Sequence, residues 1–84
     1  MKHSIIPFRS VTYAQRAERV LNRAGIGCIL HRTPKKLQVN GCGYSLRLRT
    51  ADAGAAAALL RENSVPISKV FEEKTDGSME ERAL

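Results

Sequence analysis

The tripeptide Gly41-Cys42-Gly43 is the part of this 84-residue chain whose residue types are best suited to chemistry. Unpaired cysteines are usually buried on apolar faces, whereas a cysteine between two glycines has no neighbouring side chains that shield its sulfur. Glycine also permits turn conformations that other residues rarely adopt. We therefore predict that Cys42 is a reactive, accessible thiol, and that Gly41 and Gly43 provide the space around it.

A basic setting would make this thiol more reactive. Most free cysteine is protonated at neutral pH, and nearby Lys or Arg side chains or a helix N-terminus stabilise the reactive thiolate. We predict that Cys42 ionises more readily than a free cysteine does. The candidate residues for electrostatic or capping support are Ser10, Arg9, Arg32, Lys35 and Lys36.

The remaining potential metal ligands do not have the spacing of a metal site. Cys28-x-x-His31 is the one close Cys/His pair, and a strand would place its two side chains on opposite faces. Two cysteines also do not indicate a disulfide framework in a cytosolic protein. We expect no metal and no cofactor, and we interpret Cys28, between Ile26 and Leu30, as a core residue.

The charge is distributed unevenly along the chain. Residues 1–71 carry 12 Lys or Arg against 3 Asp or Glu, and residues 72–84 carry 2 against 5, for a net charge of +6. The basic body implies an anionic partner, which could be nucleic acid, an acidic protein or a small ligand. No long apolar run or signal segment is present, so we expect a cytoplasmic protein without membrane contact.

Hydrophobic periodicity predicts six elements in the order β-α-β-β-α-β. This is the pattern of a ferredoxin-like α+β two-layer sandwich with a four-stranded, mainly antiparallel sheet. We predict a single domain over residues 1–71 and a charged, flexible tail over residues 72–84. The predicted strands are residues 4–9, 26–31, 44–49 and 65–71, the predicted helices are residues 12–24 and 51–62, and residues 32–43 form a long loop.

Local signals refine these elements. Thr12 and Gln15 form a potential capping box for the first helix, with Ser10 as a competing cap, and Gly25 is a typical helix stop. Thr50 is the expected cap of the second helix. Residues 44–49 alternate, so we expect their polar members to form a solvent-facing side of the sheet; these are Ser45, Arg47 and Arg49.

The predicted topology brings the candidate site residues to one edge. In a ferredoxin-like sheet the first two strands are parallel, so the start of the first helix, the end of strand two and the start of strand three meet. We expect this edge to hold Arg9, Ser10, Thr12, Arg32, Lys35, Lys36 and Cys42.

Several short segments, in the order in which they follow one another along the chain, resemble the selenium/sulfur carrier-like proteins, a family of small bacterial domains. The resemblance covers roughly residues 5–71, and its most specific part is a Cys-Gly step after a proline-containing loop, here Cys42-Gly43 after Pro34. The segments are Phe8-Arg9-Ser10, Tyr13-Ala14-Gln15-Arg16-Ala17, Ala24-Gly25-Ile26, Thr33-Pro34 and Gly41-Cys42-Gly43-Tyr44-Ser45-Leu46.

The resemblance implies a carrier role, in which Cys42 takes sulfur or selenium as a persulfide or selenosulfide and hands it to an acceptor. The partners would be protein donors and acceptors, with acidic surfaces that match the basic body. A carrier or accessory protein is favoured over a stand-alone enzyme because no second catalytic group is evident. The alternative is a basic module that binds nucleic acid or protein without thiol chemistry, although the chain has few aromatic residues for base stacking.

Overall fold

The computed structural model of the chain describes residues 2–33, 43–67 and 69–82. Among these residues no helix is long and apolar enough to cross a membrane. The elements, in chain order, are β1 (His3–Phe8), α1 (Val11–Arg23), β2 (Cys28–Arg32), β3 (Tyr44–Arg49), α2 (Thr50–Glu62), β4 (Val70–Glu73) and β5 (Met79–Arg82).

The strands form one sheet in the order β2-β3-β1-β4-β5, and each neighbouring pair is antiparallel. Because β1 and β2 both pair with β3, they run parallel to each other, with α1 as the connection between them. This split β-α-β arrangement confirms the predicted α+β class and is compatible with a ferredoxin-like sandwich. The strand count was predicted wrongly, since the described sheet has five strands instead of four.

The core lies between the sheet and the two helices. Alternate residues of β1 and β3 face the helices, as Ile6 and Leu46 do, and both are fully buried. Small residues let the helices approach the sheet closely, and α1 buries Ala14, Ala17 and Leu21 at the spacing predicted for one helical face. The sandwich therefore depends on alanine faces that pack against branched strand residues.

Ser10, one of the two predicted caps, is the N-cap of α1. Its hydroxyl accepts a hydrogen bond from the Tyr13 backbone N–H at 3.2 Å. Thr12 lies inside the helix. The predicted stop at Gly25 is confirmed, because its φ of +79° is the left-handed conformation that glycine favours after a helix.

The predicted cap of α2 is wrong. Thr50 is the first residue of the helix, and the cap position is held by Arg49, which makes no side-chain capping bond. The Thr50 hydroxyl lies 2.8 Å from the buried Ser4 hydroxyl instead, so this bond ties α2 to β1. Arg49 forms an ion pair of 3.1 Å with Asp52 in the first helical turn.

The fifth strand lies within residues 72–84, for which the sequence predicted a tail and no strand. The pairing of β4 with β5 runs from Val70 opposite Arg82 to Glu73 opposite Met79. Apolar periodicity does not predict β5 because its cross-strand contacts are ionic. The last predicted strand, residues 65–71, is observed further along the chain as β4. The division of the chain into a domain over residues 1–71 and a flexible tail stays a prediction.

Glu72 anchors this hairpin to the rest of the sheet. Its side chain is only 3% exposed; it pairs with Arg82 from β5 and lies 3.4 Å from the Lys2 ammonium group. The hydrogen bond from Arg82, more than any other contact, lowers the pKa of the Glu72 carboxyl. The ionised Glu72 carboxylate therefore stabilises the folded protein at any pH above the pKa of glutamate in the unfolded chain. This stabilisation is lost as the pH falls through the lower pKa that Glu72 has in the folded protein.

We predict that Glu72→Gln lowers the urea midpoint of unfolding at pH 7, because the buried position keeps its partners but loses its charge. The difference in urea midpoint between this variant and the wild type should persist at pH values above the ordinary glutamate pKa of 4.5 and disappear at lower pH. Circular dichroism during urea titration at several pH values measures both effects.

The matched control is Glu81→Gln, because Glu81 is 58% exposed and pairs with Lys69 across the same hairpin. Exposed ion pairs contribute about 0–1 kcal/mol to the free energy of unfolding, so the urea midpoint of the control should stay close to that of the wild type. Equal losses in the two variants, or a loss that does not depend on pH, would contradict this role of Glu72.

Candidate functional site

The described candidate residues meet at one end of the sheet, as the topology predicted. The register places Phe8, Tyr44 and Arg32 side by side across three strands. Arg9 and Ser10 follow β1 directly, and Gly43 directly precedes β3. We call this group the sheet end; it consists of Arg9, Ser10, Arg32, Gly43 and Tyr44.

The remaining predicted site residues fall in residues 34–42, outside the part of the chain that the structure describes. The described chain stops at Thr33 and resumes at Gly43, so both ends of this segment lie at the sheet end. The roles assigned to them stay predictions; these residues are Lys35, Lys36, Gly41 and Cys42.

A pair of hydrogen bonds links Thr33, which follows β2, to Gly43 and Ser45. The Thr33 backbone N–H donates to the Gly43 carbonyl at 2.5 Å, which extends the β2–β3 ladder by one residue. The Thr33 hydroxyl also lies 2.5 Å from the Ser45 hydroxyl, and both side chains are buried. Ser45 was predicted to face solvent; that expectation is wrong because Ser45 is fully buried and bonds to Thr33.

The N-terminus of α1 contributes a partial positive charge to the sheet end. Ser10 occupies the cap, and the first turn of the helix has no acidic side chain. The first backbone N–H groups of a helix lack helical partners, and the helix dipole favours an anion beside them. This end of α1 therefore favours negative charge near Arg9 and Ser10.

Two arginines add full charges to this setting. The Arg32 guanidinium lies 5.9 Å from the centre of the Tyr44 ring, a distance typical of a cation–π contact. Neither Arg9 nor Arg32 forms an ion pair with another described residue. The positive charge of the sheet end is therefore not neutralised by the described part of the protein.

His31 lies beside this group, and sequence reasoning assigned it no role. Its Nδ1 lies 2.7 Å from the Arg32 carbonyl oxygen, so Nδ1 carries the proton and donates it. Nε2 is buried and has no hydrogen-bond partner among the described residues. No sequence pattern signals this arrangement, because it depends on the backbone of the neighbouring residue.

Cys28 is placed where the sequence predicted, against the core. It lies at the start of β2, about 13 Å from Arg32 at the strand's rise per residue. Burial, and secondarily the negative charge of Glu18, raises the pKa of the Cys28 thiol. Its sulfur is 3.9 Å from the Asn22 side-chain oxygen, so this cysteine is a protonated thiol away from the sheet end.

The described residues offer no metal site at the sheet end. Nowhere in residues 2–33, 43–67 and 69–82 do three His, Cys, Asp or Glu side chains come together in a way that could hold a metal ion. What the described side chains of the sheet end do provide is positive charge that can stabilise an anion, from Arg9, Arg32 and the start of α1.

The fold and this site define a small α+β domain whose basic sheet end includes Gly43. The chain belongs to the family described as "Putative Se/S carrier protein-like", whose model matches residues 3–72. This confirms the resemblance found in the sequence, and the match stops before β5. No curated protein and no solved structure matches the chain.

We predict that Cys28 alkylates slowly. In a Cys42→Ala variant, where Cys28 is the remaining thiol, iodoacetamide should react at pH 7 several-fold more slowly than with free cysteine, because a raised pKa leaves less thiolate. The rate should rise with a midpoint above the ordinary value of 9.0. Mass spectrometry over a pH series measures this rate, and a Cys28→Ala,Cys42→Ala variant gives the background; a rate matching free cysteine at pH 7 would rule out this environment.

Proposed function

We propose that this protein is a sulfur or selenium carrier that uses Cys42 as its acceptor thiol. The observation that carries the proposal is the family match over residues 3–72, which includes the Cys42-Gly43 step. The sheet end supports it because Gly43, the covalent neighbour of Cys42, is held beside Arg32 and the start of α1.

The transfer step needs one thiolate and a protein donor. The Cys42 thiolate attacks the outer sulfur of a persulfide on the donor, the donor's S–S bond breaks, and the donor cysteine leaves as a thiolate. A new S–S bond forms on Cys42, so one persulfide replaces another without net oxidation. With selenium as the outer atom, the same exchange gives a selenosulfide.

The positive charge at the sheet end supports each stage of this exchange. Before transfer, Arg9, Arg32 and the α1 N-terminus would stabilise the Cys42 thiolate. After transfer they would stabilise the anionic persulfide. Lys35 and Lys36, in the same loop as Cys42, would add to this effect.

The same features explain why we propose a carrier and not a stand-alone enzyme. Persulfide exchange requires neither a second catalytic group nor a resident cofactor, since the donor supplies both the sulfur and the leaving group. The partners would be a protein donor and a protein acceptor, and acidic surfaces on them would complement the basic carrier.

The direct test is intact-mass spectrometry after incubation with a cysteine desulfurase and cysteine. We expect the wild type and Cys28→Ala to gain about 32 Da, the mass of one sulfur atom in a persulfide, and Cys42→Ala to gain nothing. Circular dichroism confirms that all three proteins are folded.

Two outcomes would refute the carrier proposal. An adduct that disappears in Cys28→Ala would assign the chemistry to the other thiol. No adduct in any protein, with RNA retained equally by the wild type and Cys42→Ala, would favour a binding module without thiol chemistry.

The role of the sheet-end charge gives a separate prediction. In a Cys28→Ala background, Arg9→Gln with Arg32→Gln should raise the midpoint pH at which Cys42 alkylates, because a cation near a thiolate favours ionisation. The matched control is Arg49→Gln, at the opposite end of β3, where Arg49 pairs with Asp52. Equal midpoints in the two variants would show that Arg9 and Arg32 do not act on the thiol.

A further inference from the structure

The charges of the described residues separate into two regions. Asp52 and the carboxylates of the β4–β5 hairpin supply the acidic partners in the ion pairs of Lys2, Arg47, Arg49, Lys69, Lys74 and Arg82. The hairpin carboxylates thereby neutralise cations from the N-terminus, β3, the segment before β4 and the hairpin itself; these cations are Lys2, Arg47, Lys69, Lys74 and Arg82. The acidic residues of the C-terminal region are therefore engaged within the protein.

The exposed face of α1 carries cations without such partners. Arg16, Arg19 and Arg23 are spaced three and four residues apart, so they share one face of the helix, opposite the buried alanines. None of the three pairs with a described residue, and Glu18, the one acid of α1, is half-buried on another face. We call Arg16, Arg19 and Arg23 the arginine face.

Like charges at these spacings repel one another and slightly destabilise a helix. The core does not need them, because the opposite side of α1 makes the contacts with the sheet. A rigid row of exposed guanidinium groups is, in contrast, well suited to bind carboxylates, since each group can donate two parallel hydrogen bonds.

We propose that the arginine face is the surface on which an acidic protein donor or acceptor docks, an inference that rests on the proposed carrier function. The helix begins at the sheet end, and Arg16 lies about 9 Å along its axis from Ser10. A partner bound along α1 therefore lies beside the sheet end, which includes Gly43, the covalent neighbour of the proposed acceptor Cys42. Its carboxylates would steer it to this position.

Two observations favour an acidic protein over nucleic acid. The large apolar side chains exposed among the described residues are Val11, Tyr13 and Ile29, so the open face of the sheet offers no exposed aromatic platform for bases. On that face Arg47 is already paired with Glu73 at 3.0 Å. Arg16, Arg19 and Arg23, which have no ion-pair partner among the described residues, lie instead on a single helix, where a protein surface can reach all three.

The test compares a triple variant, Arg16→Gln, Arg19→Gln and Arg23→Gln, with a control triple that removes the same charge from paired cations. The control changes are Arg49→Gln, Lys69→Gln and Lys74→Gln. Glutamine preserves the helix propensity of α1 in the first triple, and the control triple removes cations of exposed or part-exposed ion pairs, so both should fold. Circular dichroism checks this.

The first readout is the rate at which the sulfur adduct forms when the amount of cysteine desulfurase is limiting. At low salt we expect the arginine-face variant to be slower than the wild type by about tenfold, the lower range of electrostatic steering, and the control by less than about twofold. The difference in rate between the arginine-face variant and the wild type should disappear at high salt. Sodium polysulfide, a small donor that needs no docking, should load all three proteins equally.

The second readout does not depend on sulfur transfer. A labelled poly-glutamate peptide should bind the wild type at low salt, with an anisotropy change that the arginine-face variant loses and the control keeps. A single-stranded RNA of equal charge is measured in parallel.

The outcomes separate the two proposals. Equal enzymatic rates and equal peptide binding in both triples would overturn the docking surface and leave the carrier role intact. If no adduct forms on the wild type, even with polysulfide, the carrier role fails, and selective loss of peptide binding still supports an acidic partner. RNA that binds more tightly than the peptide, and only through the arginine face, would replace the protein partner with nucleic acid.

Discussion

The antiparallel ladders on both sides of β3 are the constraint on which the rest of the structure depends. Pairing with β1 and β2 at once makes those strands parallel and places Phe8, Tyr44 and Arg32 in one row. The N-terminus of α1 must then lie at the same end as the chain that leaves β2 and enters β3. The local charge around Gly43 is therefore a consequence of backbone pairing, and the site requires no additional element to assemble it.

A second constraint is the ionic pairing of the C-terminal hairpin. β4 would otherwise be an edge strand with unpaired backbone groups, and β5 covers that edge while Arg82 pairs with the buried Glu72. The hairpin carboxylates pair with cations of the N-terminus, β3, the segment before β4 and the hairpin itself. Glu73, Glu80 and Glu81 lie beyond the family match, so this chain neutralises these cations partly with residues outside the matched region. The cations of α1 and the sheet end have no ion-pair partner among the described residues.

Sequence reasoning succeeded where one local signal determined the structure. The alternation of residues 44–49 predicts β3 because one face of the strand meets the helices. Gly25 marks the end of α1 because its conformation is left-handed. It failed where distant partners decide the outcome. Ser45 is buried because Thr33 bonds to it, Thr50 bonds to Ser4 instead of capping α2, and β5 forms through ion pairs that have no hydrophobic period. The shared edge of Arg9, Ser10 and Arg32 followed from topology alone, while the predicted edge residues Lys35, Lys36 and Cys42 lie outside the described part of the chain.

The position of Cys28 completes the argument for a one-thiol carrier. A persulfide is vulnerable to a second thiolate, which can attack its inner sulfur, form a disulfide and expel the cargo as sulfide. In the proposed carrier this reaction would be disfavoured at Cys28, because burial raises the pKa of its thiol and so lowers its thiolate fraction. Cys28 also lies about 13 Å along β2 from Arg32 of the sheet end. The packing that holds β2 against the core therefore also raises the pKa of the Cys28 thiol, a condition that would favour a single acceptor thiol in the proposed carrier.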